Sequence, residues 1–338
     1  MLLLAFCSGY STLEAVGGQL QAATYFDSNV RESLDAPEPT FGLTLRGRMR
    51  HEVQAARLNI SGELLGQVNL DAVLTDESQL LVNADLGLRY RISRAILLQS
   101  NLSHFQKSFY DRAGSYAWTD YDAFIRFSPT ARYTGWFGYR HRKKTREALE
   151  RFRFGEDNLE LRGRYNLTSK IFLEGTVTGS RIVHTDFNAV GVVDDTALIR
   201  LEYPQRDRGV EGLIHLRYWG KAIIGVQAGF GNIHSNSAIG AYTSLSFQVY
   251  VSGRLRPSTF YHVVFRLLEK DYAYPKLGGE SKYRDPEEQV QNLAHVRLEQ
   301  VLGSSIGYLQ ISLLQNETIF NQRYYDKAMV EIGLKYEL

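Results

Sequence analysis

Apolar and polar residues alternate with a period of two along most of this chain. At the C-terminus, Ala328, Val330, Ile332, Leu334, Tyr336 and Leu338 interleave with Lys327, Met329, Glu331, Gly333, Lys335 and Glu337. Such alternation sends one set of side chains to each face of a β-strand. The same pattern recurs in Phe41–Arg50, where Phe41, Leu43, Leu45, Gly47 and Met49 oppose Thr44, Arg46, Arg48 and Arg50. In Ala241–Arg254, Leu245, Phe247, Val249 and Val251 oppose Ser244, Ser246, Gln248, Tyr250 and Ser252. These segments run roughly 10–12 residues, the length a tilted strand needs to cross a bilayer, against ~5–6 for a typical strand of a soluble sheet.

The segments come in pairs. The first is Gln19–Asp27, followed by Phe41–Arg50 and Ala56–Gly66. Short joints Ser93-Arg94, Ser128-Pro129-Thr130-Ala131 and Leu167-Thr168-Ser169 then connect Gln79–Ile92 with Ala95–Lys107, Tyr121–Phe127 with Arg132–Arg142, and Asn158–Asn166 with Lys170–Ile182. Later pairs are Val210–Tyr218 with Ala222–Asn232, Ala241–Arg254 with Phe260–Lys270, and Val290–Val301 with Ser305–Gln315, before the final strand. The expected fold is all-β: a transmembrane up-and-down antiparallel barrel of about 16 strands, an even number as such barrels require. Parity makes Val183–Gly209 one long outer loop with local β-structure, because a spanning strand at Thr196–Tyr203 would put short turns on both ends.

Composition narrows the picture. The chain has 338 residues, 29 glycines, only 7 prolines, 21 tyrosines and 17 phenylalanines. A net charge of +2 gives no bulk attraction for nucleic acid. One cysteine, Cys7, excludes an intramolecular disulfide framework and a cysteine-based zinc site. Residues 1–15 are expected to be an export signal, with the apolar run Leu2–Cys7 but no Lys or Arg before it, and residues 16–338 to be a single barrel domain.

Facing follows from the alternation. Tyr90, Phe127, Tyr133, Tyr165, Tyr218 and Tyr336 fall on the apolar face beside short turns or the C-terminus; Phe26, Phe41, Tyr121, Tyr139 and Phe230 fall on it beside long loops. Two aromatic girdles at the membrane interfaces are the expectation; the plain alternative is the general preference of aromatics for strands. On the polar face stand Arg46, Arg48, Arg50, Arg57, Arg89, Arg91, Arg126, Arg140, Arg142, Arg162, Arg164, Arg217, Arg266 and Arg297. Carboxylates there are fewer: Glu63, Asp85, Asp120, Asp122, Glu160, Glu174, Glu211, Glu299 and Glu331. Rings of basic side chains favour anion passage, whereas cross-strand pairing would merely brace the wall.

On these residues the chain resembles Gram-negative outer-membrane β-barrel proteins. Ile332, Leu334, Tyr336 and Leu338 resemble the terminal signal read by the barrel-assembly machinery, with Leu338 where Phe or Trp is usual. Tyr25-Phe26-Asp27-Ser28-Asn29-Val30 is similar to openings of β-barrel porin families of unassigned substrate. The resemblance implies a location in the bacterial outer membrane and a pore. The partners it implies are outer-membrane lipid and lipopolysaccharide, the assembly machinery, and a second copy or an export-complex partner.

The functional expectation is therefore a channel for small solutes or for export of a polymer, with an arginine-rich, anion-preferring lumen and no cofactor. The alternatives are a non-conducting structural or assembly barrel whose outer loops bind a partner, and an outer-membrane hydrolase. For the hydrolase, His104, His141, His184, His215, His262 and His295 show no Ser-His-Asp spacing, although a triad is defined by geometry. Acidic Asp71, Asp76, Glu77, Asp194 and Asp195 are loop candidates for calcium. Lys143–Arg151 is a charged loop able to meet lipopolysaccharide phosphates, and Ala273–Glu288 is a long irregular loop able to constrict a pore. The facing makes a direct prediction: Val249→Arg should destabilise the membrane-inserted protein by ~2–4 kcal/mol in urea titrations, while Gln248→Arg on the same strand is tolerated.

Overall fold

The structure is a computed structural model that describes residues 13–29, 37–110, 115–146, 153–193, 197–238, 240–273, 292–317 and 324–338. Residues 1–12, including Cys7 and most of the expected export signal, lie outside the described residues, as do Asp194, Asp195, 147–151 of the charged loop and 274–288 of the irregular loop.

Sixteen strands form one closed antiparallel barrel in which each strand pairs with its sequence neighbours. They are β1 Leu13–Asp27, β2 Thr40–Ala55, β3 Leu58–Asp71, β4 Gln79–Arg91, β5 Ile96–Phe109, β6 Tyr116–Phe127, β7 Tyr133–Arg146 and β8 Phe154–Asn166. Then come β9 Ile171–Val193, β10 Ala197–Trp219, β11 Ala222–Ser235, β12 Tyr242–Arg256, β13 Thr259–Tyr272, β14 Asn292–Leu302, β15 Ser305–Glu317 and β16 Tyr324–Glu337. The ring closes where β1 meets β16, from Gln19 opposite Glu337 to Asp27 opposite Met329. Leu338 N–H donates to the Gly18 carbonyl at 2.8 Å, which extends the seam to the last residue.

Through the middle of the wall, side chains alternate between an apolar outer face and a polar inner one. Leu161 (61% exposed) and Ile214 (62% exposed) belong to an outward apolar belt that also carries Leu64, Leu86, Ile125, Phe137, Phe247 and Ile332. Inward positions are polar and enclosed: Gln21, Thr44, Asn158, Glu160 and His215 are buried. A closed ladder leaves no strand edge, and apolar-out with polar-in is the architecture that lets β-strands span a bilayer.

Three sequence expectations need adjustment. First, β1 starts at Leu13, β6 at Tyr116 and β8 at Phe154, all earlier than the alternation indicates. The reason is visible at β6 and β8: Tyr116, Trp118 and Phe154 face inward, so the apolar-out sense is inverted there. Second, Val183–Gly209 is not a loop with local structure but the continuation of β9 and β10, each 23 residues long. The hairpin extends to Ala197 opposite Val193 and shifts register around Pro204, a residue with no N–H to donate to the ladder. The segment after β11 ties the extension down, with Ala238 N–H donating to the Val190 carbonyl and Val190 N–H to Ser237 Oγ. Third, Arg57 occupies the tight β2–β3 turn rather than the wall.

Glycines in the wall make room for inward rings. Tyr308 on β15 lies over Gly333 on β16, where a Cβ would sit 2.5 Å from its hydroxyl. The ring thereby reaches β1: Gln21 Nε2 donates to Tyr308 Oη at 2.6 Å, and the hydroxyl donates to Glu331. This clasp crosses the closing seam from inside. Tyr308→Phe should leave the buried Gln21 amide short of a partner and cost ~1–3 kcal/mol, read as a lower urea midpoint of the vesicle-inserted protein. On β12, Gln248 faces inward but accepts a hydrogen bond from Arg266 at 2.9 Å. Ser246→Arg is therefore the cleaner inward control for Val249→Arg.

Candidate functional site

The barrel interior carries the polar chemistry. Apart from Arg57, the arginines on the polar face all occupy inward positions: Arg46, Arg48 and Arg50 on β2, Arg89 and Arg91 on β4, Arg126 on β6, Arg140 and Arg142 on β7, Arg162 and Arg164 on β8, Arg217 on β10, Arg266 on β13 and Arg297 on β14. Their fates differ. Arg48 pairs with Glu63 at 2.7 Å, Arg142 with Asp120 at 2.7 Å and Arg164 with Glu174 at 2.7 Å, each across to a neighbouring strand. Arg50 pairs with Glu52, Arg162 with Glu160 and Arg297 with Glu299, each two residues along its own strand. These pairs brace the wall.

Of the others, Arg46, Arg89, Arg91, Arg126, Arg140 and Arg217 have no carboxylate partner among the described residues. Arg46 donates to Gln67 and Arg126 to Ser128 Oγ. Arg89, Arg91, Arg140 and Arg217 form no ion pair there. The Nε groups of Arg162 and Arg217 are buried and without a hydrogen-bond acceptor.

An aromatic strip runs through these arginines near the short-turn end of the wall. The Trp136 ring has the guanidinium groups of Arg126, Arg162 and Arg164 at 5.9, 5.7 and 5.4 Å from its centre. Phe172 stands between Arg164 at 4.5 Å and Arg217 at 5.2 Å. Tyr250 follows, 5.4 Å from Arg217, with its hydroxyl 3.1 Å from His215 Nε2. Guanidinium groups over ring faces keep their charge while losing mobility. Tyr250 reaches this position because β11 has Gly225 beneath it: a Cβ there would meet the ring at 2.2 Å.

Further toward the long loops, Lys107 and Lys144 flank the Tyr116 ring at 5.9 and 5.0 Å, and Trp118 stacks on Phe105 at 4.0 Å. A cavity of about 240 Å³ lies against β7 to β12, bounded by Arg140, Arg142, Glu156, Glu160 and Glu211 among others. At its rim His184 Nε2 lies 3.3 Å from Asp207 Oδ2, and Gln205 donates to the same carboxylate. The sequence reading passed over the inward rings and lysines. The signal was present: Trp118, Trp136 and Trp219, all the tryptophans of the chain, sit on inward parity rather than in a girdle.

The aromatics expected at the membrane interfaces stand on the outward face. Tyr90, Phe127, Tyr133, Tyr165, Tyr218 and Tyr336 are exposed near the short-turn end, and Phe41, Tyr121, Tyr139 and Phe230 near the long-loop end. Phe26 is half-buried because it packs on Phe41, with ring centres 4.9 Å apart. His141 also faces outward, with Nδ1 2.8 Å from Asp157 Oδ1, and His104 lies 2.9 Å from Thr119 Oγ1. Asp71, the last residue of β3, accepts at Oδ1 from the Val73 and Leu74 N–H groups and the Thr40 hydroxyl, and at Oδ2 from the Tyr25 hydroxyl at 3.4 Å.

A closed 16-strand ladder, an apolar outer belt and a charged interior define a β-barrel of the bacterial outer-membrane class. Solved structures agree on the fold. OmpT folded in vitro, an outer membrane protein of Vibrio cholerae, aligns over 97% of this chain and 98% of its own at a TM-score of 0.54 and 12% identity. OccK2 (OpdF) of Pseudomonas aeruginosa aligns over 96% and 98% at 0.52 and 11% identity. No family model matches the sequence, and no curated protein matches it.

The cradle under Tyr250 is testable. Gly225→Ala should push the ring aside and destabilise the barrel by ~1–3 kcal/mol through overpacking. Gly175→Ala, on the outward face where nothing lies within 4 Å, should leave the urea midpoint unchanged.

Proposed function

We propose that this protein is an outer-membrane pore for small solutes with a preference for anions, selected along the arginine–aromatic strip of its inner wall. The observation that carries the reading is the set Arg89, Arg91, Arg140 and Arg217, which form no ion pair among the described residues, above all Arg217, whose buried Nε has no acceptor there and whose charge is held between Phe172 and Tyr250. A ring of 16 strands is wide enough to leave an aqueous channel. Fixed positive groups on its wall lower the barrier for anions and raise it for cations. The ring faces beside the arginines suit a solute with an apolar or sugar face and an anionic end. Supporting this chemistry, OccK2 has also been solved in complex with glucuronate; that structure aligns with this chain at a TM-score of 0.51 and 11% identity, over 96% of this chain and 98% of its own.

In planar bilayers the protein should give steady open current, and a KCl gradient should produce a reversal potential of the sign for chloride preference. Arg89→Gln, Arg126→Gln, Arg140→Gln and Arg217→Gln combined should move that potential toward zero. Cation preference of the unmodified protein overturns the anion reading. A sealed bilayer despite a folded barrel overturns the pore and favours a structural or assembly role.

A further inference from the structure

The outward face holds a second charged feature, unrelated to the lumen. Where β7 to β11 rise above the apolar belt, their outward positions turn basic: Lys143 on β7, Arg181 on β9, and Arg206 and Arg208 on β10, all exposed. The register places them side by side. Asp157 sits opposite both His141 and Arg181, Arg181 opposite Arg208, and Arg208 opposite His234. Asp157 is the carboxylate of this group, and it is engaged by the Tyr139 hydroxyl at 2.5 Å and by His141 at 2.8 Å. Lys143, Arg181, Arg206 and Arg208 take part in no ion pair among the described residues. On the far side of the barrel, outward positions at the same end are acidic instead: Glu269 and Asp271 on β13 and Asp326 on β16, all exposed. Among the described residues the outward basic character thus lies on the β7–β10 side.

Height identifies the surroundings of the patch. Arg208 lies ten residues along β10 from Tyr218, which marks the short-turn edge of the belt. With ~3.3 Å rise per residue and a strand tilt near 40°, that is roughly 25 Å, the height of the apolar band of such barrels. Directly below the cations stand exposed Leu159, Val177, Val210 and Ile214, which face acyl chains. The cations therefore stand at headgroup level of the outer leaflet, on the parity that points into lipid.

We propose that this patch docks the phosphate groups of an anionic glycolipid of the outer leaflet, whose acyl chains lie along the apolar side chains beneath. Arg181 and Arg208 are adjacent, and both present forked donors suited to phosphate oxygens. A dissolved anion would gain nothing from the neighbouring belt, whereas a lipid uses both surfaces at once. The proposal rests on the membrane placement of the barrel and is independent of what the lumen carries.

The test uses the full chain inserted in phosphatidylcholine vesicles, titrated with bisphosphorylated lipid A, with the thermal midpoint as readout. The unmodified protein should be stabilised in a saturable way. Dephosphorylated lipid A and millimolar inorganic phosphate should give no shift. The combined variant Lys143→Ser, Arg181→Ser, Arg206→Ser and Arg208→Ser should need at least tenfold more lipid, while keeping its bilayer conductance. Should that variant fail to insert, Arg208→Ser alone should still weaken binding several-fold. Equal affinity of variant and unmodified protein, an equal response to dephosphorylated lipid, or a matching shift with inorganic phosphate each overturns the proposal.

Discussion

The constraint that organises this molecule is the backbone's need for hydrogen-bond partners where there is no water. Within a bilayer every exposed strand edge would strand a row of N–H and C=O groups, each costing several kcal/mol. One seam removes the problem for the whole chain: β1 against β16, from Gln19 opposite Glu337 to Asp27 opposite Met329. Everything else about the barrel presupposes that join. It fixes which residues look outward, and so obliges Ile332 and Leu334 to be apolar and Glu331 and Lys335 to be polar. Its inner surface is reinforced by a ring from a third strand, since Tyr308 bridges the void above Gly333 to reach Gln21.

Inside, the same device serves chemistry. Glycine in the wall is costly for a strand, but it lets a ring lie flat across the neighbouring strand. Tyr250 over Gly225 and Phe124 over Gly138 follow this pattern. Rings laid over the wall then hold guanidinium groups by their faces, so that Arg217, between Phe172 and Tyr250, is positioned without an ion pair among the described residues. Positional order and uncompensated charge coexist, which a purely salt-bridged wall could not provide.

Alternation made most of the architecture legible from the residues alone. Strand number and antiparallel closure followed because lipid outside and water inside impose opposite polarities on successive positions. The reading failed where that rule lapses. Tyr116, Trp118 and Phe154 are apolar yet inward, so the starts of β6 and β8 were hidden. Beyond the belt neither face is in lipid, and the long continuation of β9 and β10 lost its signature there; buried Gln205 and Asp207 look like loop residues until Ser235 and Asn236 are seen beside them. Which arginines pair and which remain open could not be read from spacing, because Arg162 takes a partner on its own strand while Arg164 takes one on the next.

The central claim is that successive side chains of one strand face oil and water in turn around a closed wall. It is tested most directly on β12, by placing single cysteines at positions 244 to 251 in a Cys7→Ser background and reacting each vesicle-inserted protein with a charged, membrane-impermeant thiol reagent. The account predicts fast modification at Ser244, Ser246, Gln248 and Tyr250 and protection at Leu245, Phe247, Val249 and Val251. Uniform reactivity along the strand, or the opposite alternation, would contradict it.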